Sequence, residues 1–287
     1  MTKAVVFYYD PVAFYREMFY HNKIKFDAQA LRFKMENQTL VSIITVVFNA
    51  ENTIKQTIES VFSQSYKNIE YIVIDGGSTD GTVGIVNKYK DKIAKFISKK
   101  DKGIYDGMNK GLELASGGIV GILNSDDFYA SNDVIETIVK EIKSNEADAC
   151  WADLVYVDAG NTDKIVRYWR SSEYKEGKFK WGWMPPHPAF FVKKRVYEEY
   201  GGFNLKFRTA ADYELMLRFL EKHKIKSCHI RKTIVKMRTG GRSNNSVKNI
   251  IRSNIDCYRA WKENGLNVSP LIVFFKPLSK TFQYFTR

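Results

Sequence analysis

From Val41 onward, apolar runs rich in β-branched residues alternate with amphipathic segments. The runs "VSIITVVF", "IEYIVID", "AKFIS" and "GIVGILN" are largely apolar, as is typical of strands buried on both faces of a parallel sheet. The segments between them, such as "ENTIKQTIESVFSQS" and "GIYDGMNKGLELA", carry their apolar residues at helical spacing. This alternation predicts a doubly wound α/β sheet whose ligands bind beyond the carboxyl ends of the strands.

The chain beyond residue 130 predicts further helices and strands in a less regular order. A helix runs to about Asn145, a strand spans Cys150–Val157, and "TDKIVRYWR" pairs with that strand through a turn. An aromatic, proline-rich loop, "WGWMPPHPAFFVKK", enters another strand, and "TAADYELMLRFLEKH" forms a helix. The segment "NSVKNIIRSNIDCYRAWKENG" predicts a basic helix with Asn245 or Ser246 as its N-cap and Gly265 as its stop.

Residues 1–40 carry many aromatic and polar side chains without a clear period. Two interpretations stay open: Met35 is the natural start and the preceding residues are an upstream extension, or the segment is a genuine capping or partner-binding arm. The patterned chain then divides into residues 41–130, residues 131–223 and residues 224–287.

Positive charge is concentrated in residues 224–287. This stretch holds 14 Lys and Arg residues against two acidic ones, in a chain of 287 residues with a net charge of +13. Such a module suits nucleic acid, an acidic lipid surface or a phosphorylated substrate, and a solvated basic face is the simpler interpretation. No apolar stretch approaches the roughly 18 residues of a membrane-spanning helix. The three scattered cysteines indicate reduced thiols in a cytosolic protein.

Acidic residues follow two of the predicted strands. Asp75 ends one strand, and the turn "GGSTDGT" after it offers glycines for close backbone approach and Asp80 as a second acceptor. An ordinary Asx-type turn would use the same residues. The turn lacks the GK[ST] of a Walker loop and the spacing of a GxGxxG fingerprint.

The segment "GILNSDDFY" places Asp126 and Asp127 side by side where another strand ends. Desolvating two like charges is costly, so the pair calls for a cation. Mg²⁺ or Mn²⁺ would bind carboxylate oxygens and bridge to substrate phosphates, whereas an N-capping Asp before the next helix is the structural alternative. Further along, Asp212 lies near a helix start, where it either stabilises the helix dipole or acts as a base.

Three segments together resemble family-2 glycosyltransferases. They are "VSIITVVFNAENTIKQTIESVFSQSYKNIEYIVIDGGSTDGT", "DKGIYDGMNKGLELASGGIVGILNSDDFY" and "FRTAADYELMLRFL", which match in order and spacing from Val41 to Leu220. The segment "MRTGGRSNN" also resembles the Gly-Gly-x-Ser element that follows the catalytic helix in many members. These nucleotide-sugar-dependent enzymes have the GT-A fold and include many that build bacterial O-antigen, capsule and exopolysaccharide.

The resemblance implies a fold and a division of labour. The GT-A fold is a Rossmann-like, mostly parallel central sheet flanked by helices. Residues 41–130 would bind the nucleotide-sugar, and residues 131–223 would bind the acceptor and hold the catalytic base. Residues 224–287 would form a basic helical C-terminal region.

The resemblance also assigns a donor site. Asn49 and Glu51 match a "YNxE" position near the nucleotide, with Phe48 in place of the common Tyr. Asp75 matches the acid that reads the uracil or ribose. The residues matched to donor binding are Asn49, Glu51, Asp75, Asp80, Asp106, Asn109, Asn124 and Ser125.

The family's Asp-x-Asp position is occupied by Asn124-Ser125-Asp126. Because the first Asp is replaced, the resemblance implies that Asp126 is the ligand of Mn²⁺ or Mg²⁺ and that Asn124 contacts a sugar or ribose. Asp212 matches the catalytic base of inverting members, with Ala in place of the usual preceding Glu. His187 lies where an acceptor-side histidine often occurs, and a packed loop histidine is the open alternative.

The implied reaction is a single displacement. Asp212 deprotonates an acceptor hydroxyl, which attacks the anomeric carbon while the metal stabilises the departing diphosphate. The implied donor is a UDP-sugar, and the acceptor is a glycan on a polyprenyl diphosphate at the cytoplasmic face of the cell membrane. The apolar run Leu271–Phe275, followed by Lys276, Lys280 and Arg287, fits a peripheral membrane anchor. A C-terminal helix docked on the core is the alternative.

Two other functions fit parts of the sequence. A sugar-phosphate nucleotidyltransferase also combines a glycine-rich nucleotide site with a metal-binding Asp, but "VSIITVVFNAEN" lacks its GxGTRxxP-like start and Lys. A non-catalytic nucleic-acid-binding protein would explain the net charge. However, the charge is confined to the tail and the chain has no usual recognition motif, so we expect no nucleic-acid partner.

Overall fold

The centre of the sheet is β1 (Val41–Val47), in which every residue is buried. It pairs in parallel with β2 (Ile69–Asp75) on one side and β4 (Ile119–Ile122) on the other, and β3 (Lys95–Ser98) pairs in parallel with β2. The structure, a computed structural model, describes residues 39–240 and 247–270, without the side chains of residues 247–251. The four strands predicted from the apolar runs are all confirmed.

The remaining strands make the sheet mixed. They are β5 (Asp127–Tyr129), β6 (Ala149–Val157), β7 (Ile165–Trp169), β8 (Phe190–Lys193) and β9 (Ser227–Arg238). Over the described residues the order is β3-β2-β1-β4-β8-β6-β9-β5, with β7 paired to β6. β8 is antiparallel to β4 and β6, β7 is antiparallel to β6, β9 is parallel to β6, and β5 is antiparallel to β9. Parallel pairs thus join the first four strands, as predicted, and also join β6 to β9, while every pair made by β5, β7 or β8 is antiparallel. The short turn between β6 and β7 permits only antiparallel pairing of those two strands.

The predicted helical character of residues 224–287 is wrong for its first part. Residues 227–238 form β9, which lies between β6 and β5 in the sheet. Ile230, Ile234 and Val235 are buried on this strand, while Arg231 is exposed. The many Lys and Arg residues of this segment suggest an exposed helix, whereas its β-branched residues favour a buried strand.

Helices cover both faces of the sheet. They are α1 (Ile54–Phe62), α2 (Thr82–Asn87), α3 (Ile104–Leu114), α4 (Val134–Ser144), α5 (Lys194–Tyr200), α6 (Ala211–Leu217), which continues as a π-helical turn over Arg218–Lys222, and α7 (Val247–Glu263). Alternate residues of β1 enter two separate apolar cores: Ile43 packs with α1, α2 and α4, and Ile44 packs with α3, α5, α6 and α7. Both faces of the central strands are therefore dry, as the apolar runs predict.

The basic helix α7 is confirmed, and its inner face belongs to the core. Trp261 is 1% exposed, and its indole N–H donates to the Tyr213 hydroxyl over 2.9 Å. The helix ends where the sequence predicts, because Gly265 adopts a φ of 69° and its N–H bonds back to the Lys262 carbonyl. The predicted N-cap, Asn245 or Ser246, and the predicted membrane anchor at the C-terminus lie outside the described residues. So do residues 1–38 of the predicted N-terminal extension.

The buried carboxylate of Glu70 links several strands by hydrogen bonds at the end of the sheet opposite the candidate site. Glu70, at the start of β2, accepts hydrogen bonds from the Ser42 hydroxyl, from the Ser116 backbone and hydroxyl, and from Lys95 at 2.8 Å. Although burial acts to raise it, these bonds lower the pKa of Glu70 to about 2. The network joins β1, β2 and β3 to the chain that follows α3.

Helix α3 lies unusually close to β1. A Cβ atom on Gly107 would lie 2.6 Å from Val46 Cγ1, and one on Gly111 would lie 2.4 Å from Ile44 Cγ2. Both distances are shorter than van der Waals contact, so only glycine permits this approach. The approach fixes the height of α3 over the sheet, and with it the side chains that α3 contributes to the site.

We expect Gly111→Ala to lower the free energy of unfolding by about 1–3 kcal/mol, because the added methyl group overpacks the contact with Ile44. Gly84→Ala on α2 is the matched control, since a Cβ there meets nothing within 4 Å. We expect that control to be neutral or to stabilise the protein by up to about 1 kcal/mol through helix propensity. Urea unfolding measures both values, and equal changes in the two variants would contradict the close approach.

Candidate active site

The candidate site lies at the carboxyl ends of β1, β2 and β4, as the fold predicts. Asn49 follows β1 in the left-handed region, with a φ of 48°. Its side-chain oxygen accepts a hydrogen bond from the Thr79 N–H over 2.8 Å, and its own N–H donates to the Ser78 hydroxyl over 2.8 Å. Asn49 thereby joins the loop after β1 to the "GGST" turn after β2.

Asp75 is fully buried, and its carboxylate is occupied by its own turn. It accepts hydrogen bonds from the Gly77 and Ser78 N–H groups, from the Ser78 hydroxyl and from the Ser98 hydroxyl at 2.7 Å. The sequence suggests a carboxylate that points into the ligand crevice. In the structure its hydrogen bonds shape the turn, as in the Asx-type alternative, and its contact with a nucleotide stays a prediction.

Glu51 and Asp80 complete the link between these two loops. The Glu51 carboxylate accepts from the Gly81 N–H over 2.7 Å, while the Glu51 N–H donates to Asp80 over 3.2 Å. Hydrogen bonds from Thr82, and then from the Glu51 backbone, hold the pKa of Asp80 below its ordinary value. The predicted donor residues after β1 and β2 therefore form one interlocked rim.

The two donor-site residues predicted on α3 have different surroundings. Asp106 forms an ion pair with Lys110 at 2.9 Å, which lowers the pKa of Asp106, and it also accepts the Lys102 N–H. Asn109 bonds the backbone of Phe203 twice: its amide donates to the carbonyl over 2.9 Å and its oxygen accepts the N–H over 2.8 Å. Asn109 thus holds the loop before α6 against α3.

The Asn124-to-Asp127 segment links β4 to β5. The Thr57 hydroxyl of α1 donates to the backbone carbonyls of Ser125 and Asp127, over 3.0 and 2.7 Å. Asp126 is half-buried, whereas Asp127 is fully buried and begins β5. The alternative of an N-capping residue is wrong for Asp127, because α4 begins only at Val134. Burial and then the charge of Asp126 raise the pKa of Asp127 well above its ordinary value.

Arg238, which the sequence analysis overlooks, is the protein's own cation beside these carboxylates. It is 8% exposed, ends β9, and donates to the Asp126 backbone carbonyl and to the Gln56 side chain. Its guanidinium lies 5.0 Å from the centre of the Phe128 ring, and its charge acts to lower the pKa of Asp127. Burial lowers the pKa of Arg238, and the two carboxylates oppose that shift.

The residues around Asp126 fit a hard divalent cation. Asn124 Oδ1 and Asp127 Oδ1 are buried and accept no hydrogen bond, so two unpartnered oxygens accompany the Asp126 carboxylate in this segment. Over the described residues, no group of three or more His, Cys, Asp or Glu side chains could hold a metal alone. Substrate phosphate oxygens and water would therefore have to complete the coordination shell.

Asp212 is the second residue of α6 and is held by two partners. The Tyr105 hydroxyl donates to Asp212 Oδ1 over 3.0 Å, and His187 Nδ1 lies 3.4 Å from Asp212 Oδ2. A cavity of about 20 Å³ lies beneath it, lined mainly by apolar side chains that include Met108, Phe190 and Leu215. Burial, and then the charge of Asp212, raise the pKa of Tyr105 well above its ordinary value, so the phenol remains a donor.

His187 lies between Asp212 and the Asn124-to-Asp127 segment. Its Nε2 atom lies 3.4 Å from the Asn124 amide nitrogen, which also donates to Asp127 Oδ2 over 3.0 Å. The structure thus brings Asn124, His187 and Asp212 together, while Asn49, Glu51, Asp75 and Asp80 form the separate rim described above. Tyr105 and Arg238 are site residues that the sequence pattern does not predict, although Tyr105 lies one helical turn before Asn109.

The sequence profile of Glycosyl transferase family 2 matches residues 42–201. The chain belongs to this family.

Among curated relatives, an uncharacterised glycosyltransferase of Mycobacterium tuberculosis (strain CDC 1551 / Oshkosh) is 33% identical over 190 residues, covering 64% of this chain and 70% of the relative. Chondroitin synthase of Pasteurella multocida (strain Pm70) is 29% identical over 217 residues, covering 74% of this chain and 22% of that protein. A PGL/p-HBAD biosynthesis glycosyltransferase of Mycobacterium bovis (strain BCG / Pasteur 1173P2) is 28% identical, covering 62% of this chain and 69% of that relative.

Solved structures show the same fold. S. aureus TarS 1-349 in complex with UDP-GlcNAc aligns with a TM-score of 0.62 at 17% identity, covering 82% of this chain and 69% of that one. The mannosyltransferase PcManGT of Pyrobaculum calidifontis, in complex with GDP-Man and Mn2+, aligns with a TM-score of 0.59 at 18% identity, covering 86% and 69%. The GT-A fold expected from the sequence is confirmed. Over the described residues, no helix combines the length and the apolar character needed to cross a membrane.

We expect Arg238→Gln to lower the free energy of unfolding by about 1.5–3 kcal/mol, because it removes charged hydrogen bonds and the cation beside Asp126 and Asp127. Arg231→Gln is the matched control, since Arg231 is exposed on the same strand. Its effect should stay within about 0.5 kcal/mol. Thermal and urea unfolding measure both, and an Arg238→Gln variant as stable as the control would remove Arg238 from this role.

Proposed function

We propose that the protein is an inverting glycosyltransferase that moves a sugar from a UDP-sugar to a lipid-linked glycan acceptor. The observation that carries this proposal is the meeting of Asp212 with the Asn124-to-Asp127 segment through His187. A single displacement requires a base close to the acidic segment that binds the donor. The transferred group would be a hexosyl or N-acetylhexosaminyl residue, and the pathway would build a bacterial surface polysaccharide such as O-antigen or capsule.

The named relatives and structures support the substrate classes. TarS was solved with UDP-GlcNAc and PcManGT with GDP-Man and Mn2+, so a nucleotide-sugar is the donor class that the fold accommodates. Chondroitin synthase and the PGL/p-HBAD glycosyltransferase are named for products built on glycans or glycolipids. The polyprenyl-diphosphate acceptor, and a location at the cytoplasmic face of the membrane with peripheral contact through the basic C-terminal residues, complete the proposal.

Asp212 is the base of the proposed reaction. Its carboxylate is 19% exposed at the start of α6, so an acceptor hydroxyl can reach it from solvent. The hydroxyl loses its proton to Asp212 as its oxygen attacks the anomeric carbon from the face opposite the nucleotide. The bond to the nucleotide diphosphate breaks in the same step, and an α-linked donor yields a β-linked product.

Donor binding falls to the interlocked rim and to the Asn124-to-Asp127 segment. Asn49, Glu51, Asp75 and Asp80 hold the loops whose backbone would meet the nucleotide, and Asp106, Asn109 and Ser125 lie along the same pocket in this assignment. Asp126 would hold Mn²⁺ or Mg²⁺ together with the unpartnered oxygens of Asn124 and Asp127. When bound, the metal would neutralise charge on the departing diphosphate.

A panel of nucleotide-sugars tests the proposal directly. The full chain is incubated with Mn²⁺, a polyprenyl-diphosphate-linked glycan and each donor in turn, including UDP-GlcNAc, UDP-glucose and GDP-mannose, and release of nucleoside diphosphate is measured. Acceptor-dependent UDP release with an inverted linkage supports the proposal. A retained anomeric configuration would contradict the single displacement, and release from GDP-mannose alone would contradict the UDP-sugar donor.

We expect Asp212→Asn to reduce kcat by about 10²–10⁴-fold while donor binding survives, because the amide cannot accept the acceptor proton. Asp163→Asn, in the exposed turn between β6 and β7, is the control and should retain full turnover. Product formation under saturating substrates gives kcat, and calorimetric titration with UDP gives binding. Normal turnover in Asp212→Asn would contradict the assignment of Asp212 as the base.

The proposed reaction should require a bound divalent cation. We expect EDTA to abolish transfer and Mn²⁺ or Mg²⁺ to restore it, because the donor diphosphate needs a divalent cation at Asp126. In Asp126→Asn, the Mn²⁺ concentration for half-maximal activity should rise roughly 10–100-fold. The control Asp91→Asn, at an exposed position after α2, should leave that Mn²⁺ concentration unchanged. Activity that is indifferent to chelation would contradict the metal site.

A further inference from the structure

A continuous chain of polar side chains crosses the site from α3 to β5. Tyr105 donates to Asp212 over 3.0 Å, and Asp212 lies 3.4 Å from His187 Nδ1. His187 Nε2 lies 3.4 Å from the Asn124 amide nitrogen, which donates to Asp127 over 3.0 Å. Five side chains from four parts of the sequence thus connect the proposed base to the proposed metal segment.

The chemistry of the chain fixes the direction of its hydrogen bonds. The Asn124 amide nitrogen can only donate, so a hydrogen bond between it and His187 requires a lone pair on Nε2. A neutral imidazole then carries its proton on Nδ1, which faces Asp212 Oδ2. In this arrangement Asp212 Oδ1 accepts a hydrogen bond from the Tyr105 hydroxyl, and the Nδ1–H group of His187 faces Asp212 Oδ2 at 3.4 Å.

Tyr105 is itself held in place by its surroundings. Its ring stacks on Phe203, with centroids 5.5 Å apart and planes inclined by 23°. The backbone of Phe203 is bonded twice by Asn109, one turn along α3 from Tyr105. The phenol therefore cannot move without disturbing α3, whose height over the sheet Gly107 and Gly111 determine.

We propose that Tyr105 and His187 are positioning residues, which fix the plane of the Asp212 carboxylate and tie it to the Asn124 segment. This inference rests on the proposed role of Asp212 as the base. A carboxylate with one oxygen bonded to a phenol and the other facing an imidazole keeps one orientation, so its remaining lone pairs are already directed towards the acceptor hydroxyl. His187 acts through Asp212, and this differs from the acceptor contact that the family resemblance implies for it.

The first test removes one hydroxyl. Tyr105→Phe keeps the ring that stacks on Phe203 and deletes the bond to Asp212, so we expect kcat to fall about 10–100-fold with little change in the donor KM. Tyr89→Phe is the matched control, because it deletes a hydroxyl in the turn after α2 that donates to the Glu59 carboxylate of α1 over 2.9 Å. That control should keep wild-type kcat, and melting temperatures confirm that both variants are folded.

A double-mutant cycle separates positioning from direct action. If Tyr105 acts only through Asp212, Tyr105→Phe combined with Asp212→Asn should be no slower than Asp212→Asn alone. Fully multiplicative losses, or wild-type kcat in Tyr105→Phe, would overturn the inference while leaving Asp212 as the base. Full turnover in Asp212→Asn would overturn the proposed function and, with it, this inference.

His187 is tested by conservative rescue and by its proton. Glutamine supplies both a donor and an acceptor, so His187→Gln should retain more kcat than His187→Leu. A raised acceptor KM with unchanged kcat in both variants would instead make His187 an acceptor contact. Nitrogen NMR of the chain, which has four histidines, should show the Nδ1–H tautomer for the signal lost in His187→Gln. An Nε2–H tautomer in the wild type would contradict the direction of the chain.

Discussion

The site depends on the way the sheet accommodates two adjacent carboxylates. Asp127 is fully buried beside Asp126, an arrangement whose desolvation cost demands compensation. The antiparallel pairing of β5 with β9 sets Asp127 opposite Met237, and so brings Arg238 to the Asp126 backbone. The counter-charge is therefore built into the sheet, and any divalent cation would add to it.

A second constraint is that the side chains of the loops after β1 and β2 form hydrogen bonds with the backbone of these same loops. Asp75, Asn49 and Glu51 accept hydrogen bonds from neighbouring backbone N–H groups, and the bonds of Asn49 and Glu51 tie the loops after β1 and β2 to one another. Such loops lose little conformational freedom on binding, which favours affinity. In the proposed donor site these side chains would shape the pocket, and exposed backbone groups would contact the ligand.

The sequence predicts the features that depend on local pattern. The continuous apolar runs of β1, β2 and β4 indicate buried parallel strands correctly, because burial on both faces leaves no other composition. β9 is missed because its cations suggest a solvated tail. Arg238 and Tyr105 are missed for a different reason: their partners, Asp126 and Asp212, lie 112 and 107 residues away in the chain. Position alone left Asp212 between a helix-dipole role and a base; the family resemblance favours the base, and its contacts with Tyr105 and His187 support that proposal.

The placement of β9 also has a consequence for the order in which the protein is made. A ribosome releases β4 and β5 long before it reaches Arg238, which lies 112 residues beyond Asp126. At typical elongation rates that interval is on the order of 5–20 s. During that time the nascent chain holds the paired carboxylates without their arginine, so the Asn124-to-Asp127 segment gains its counter-charge only after β9 has been synthesised.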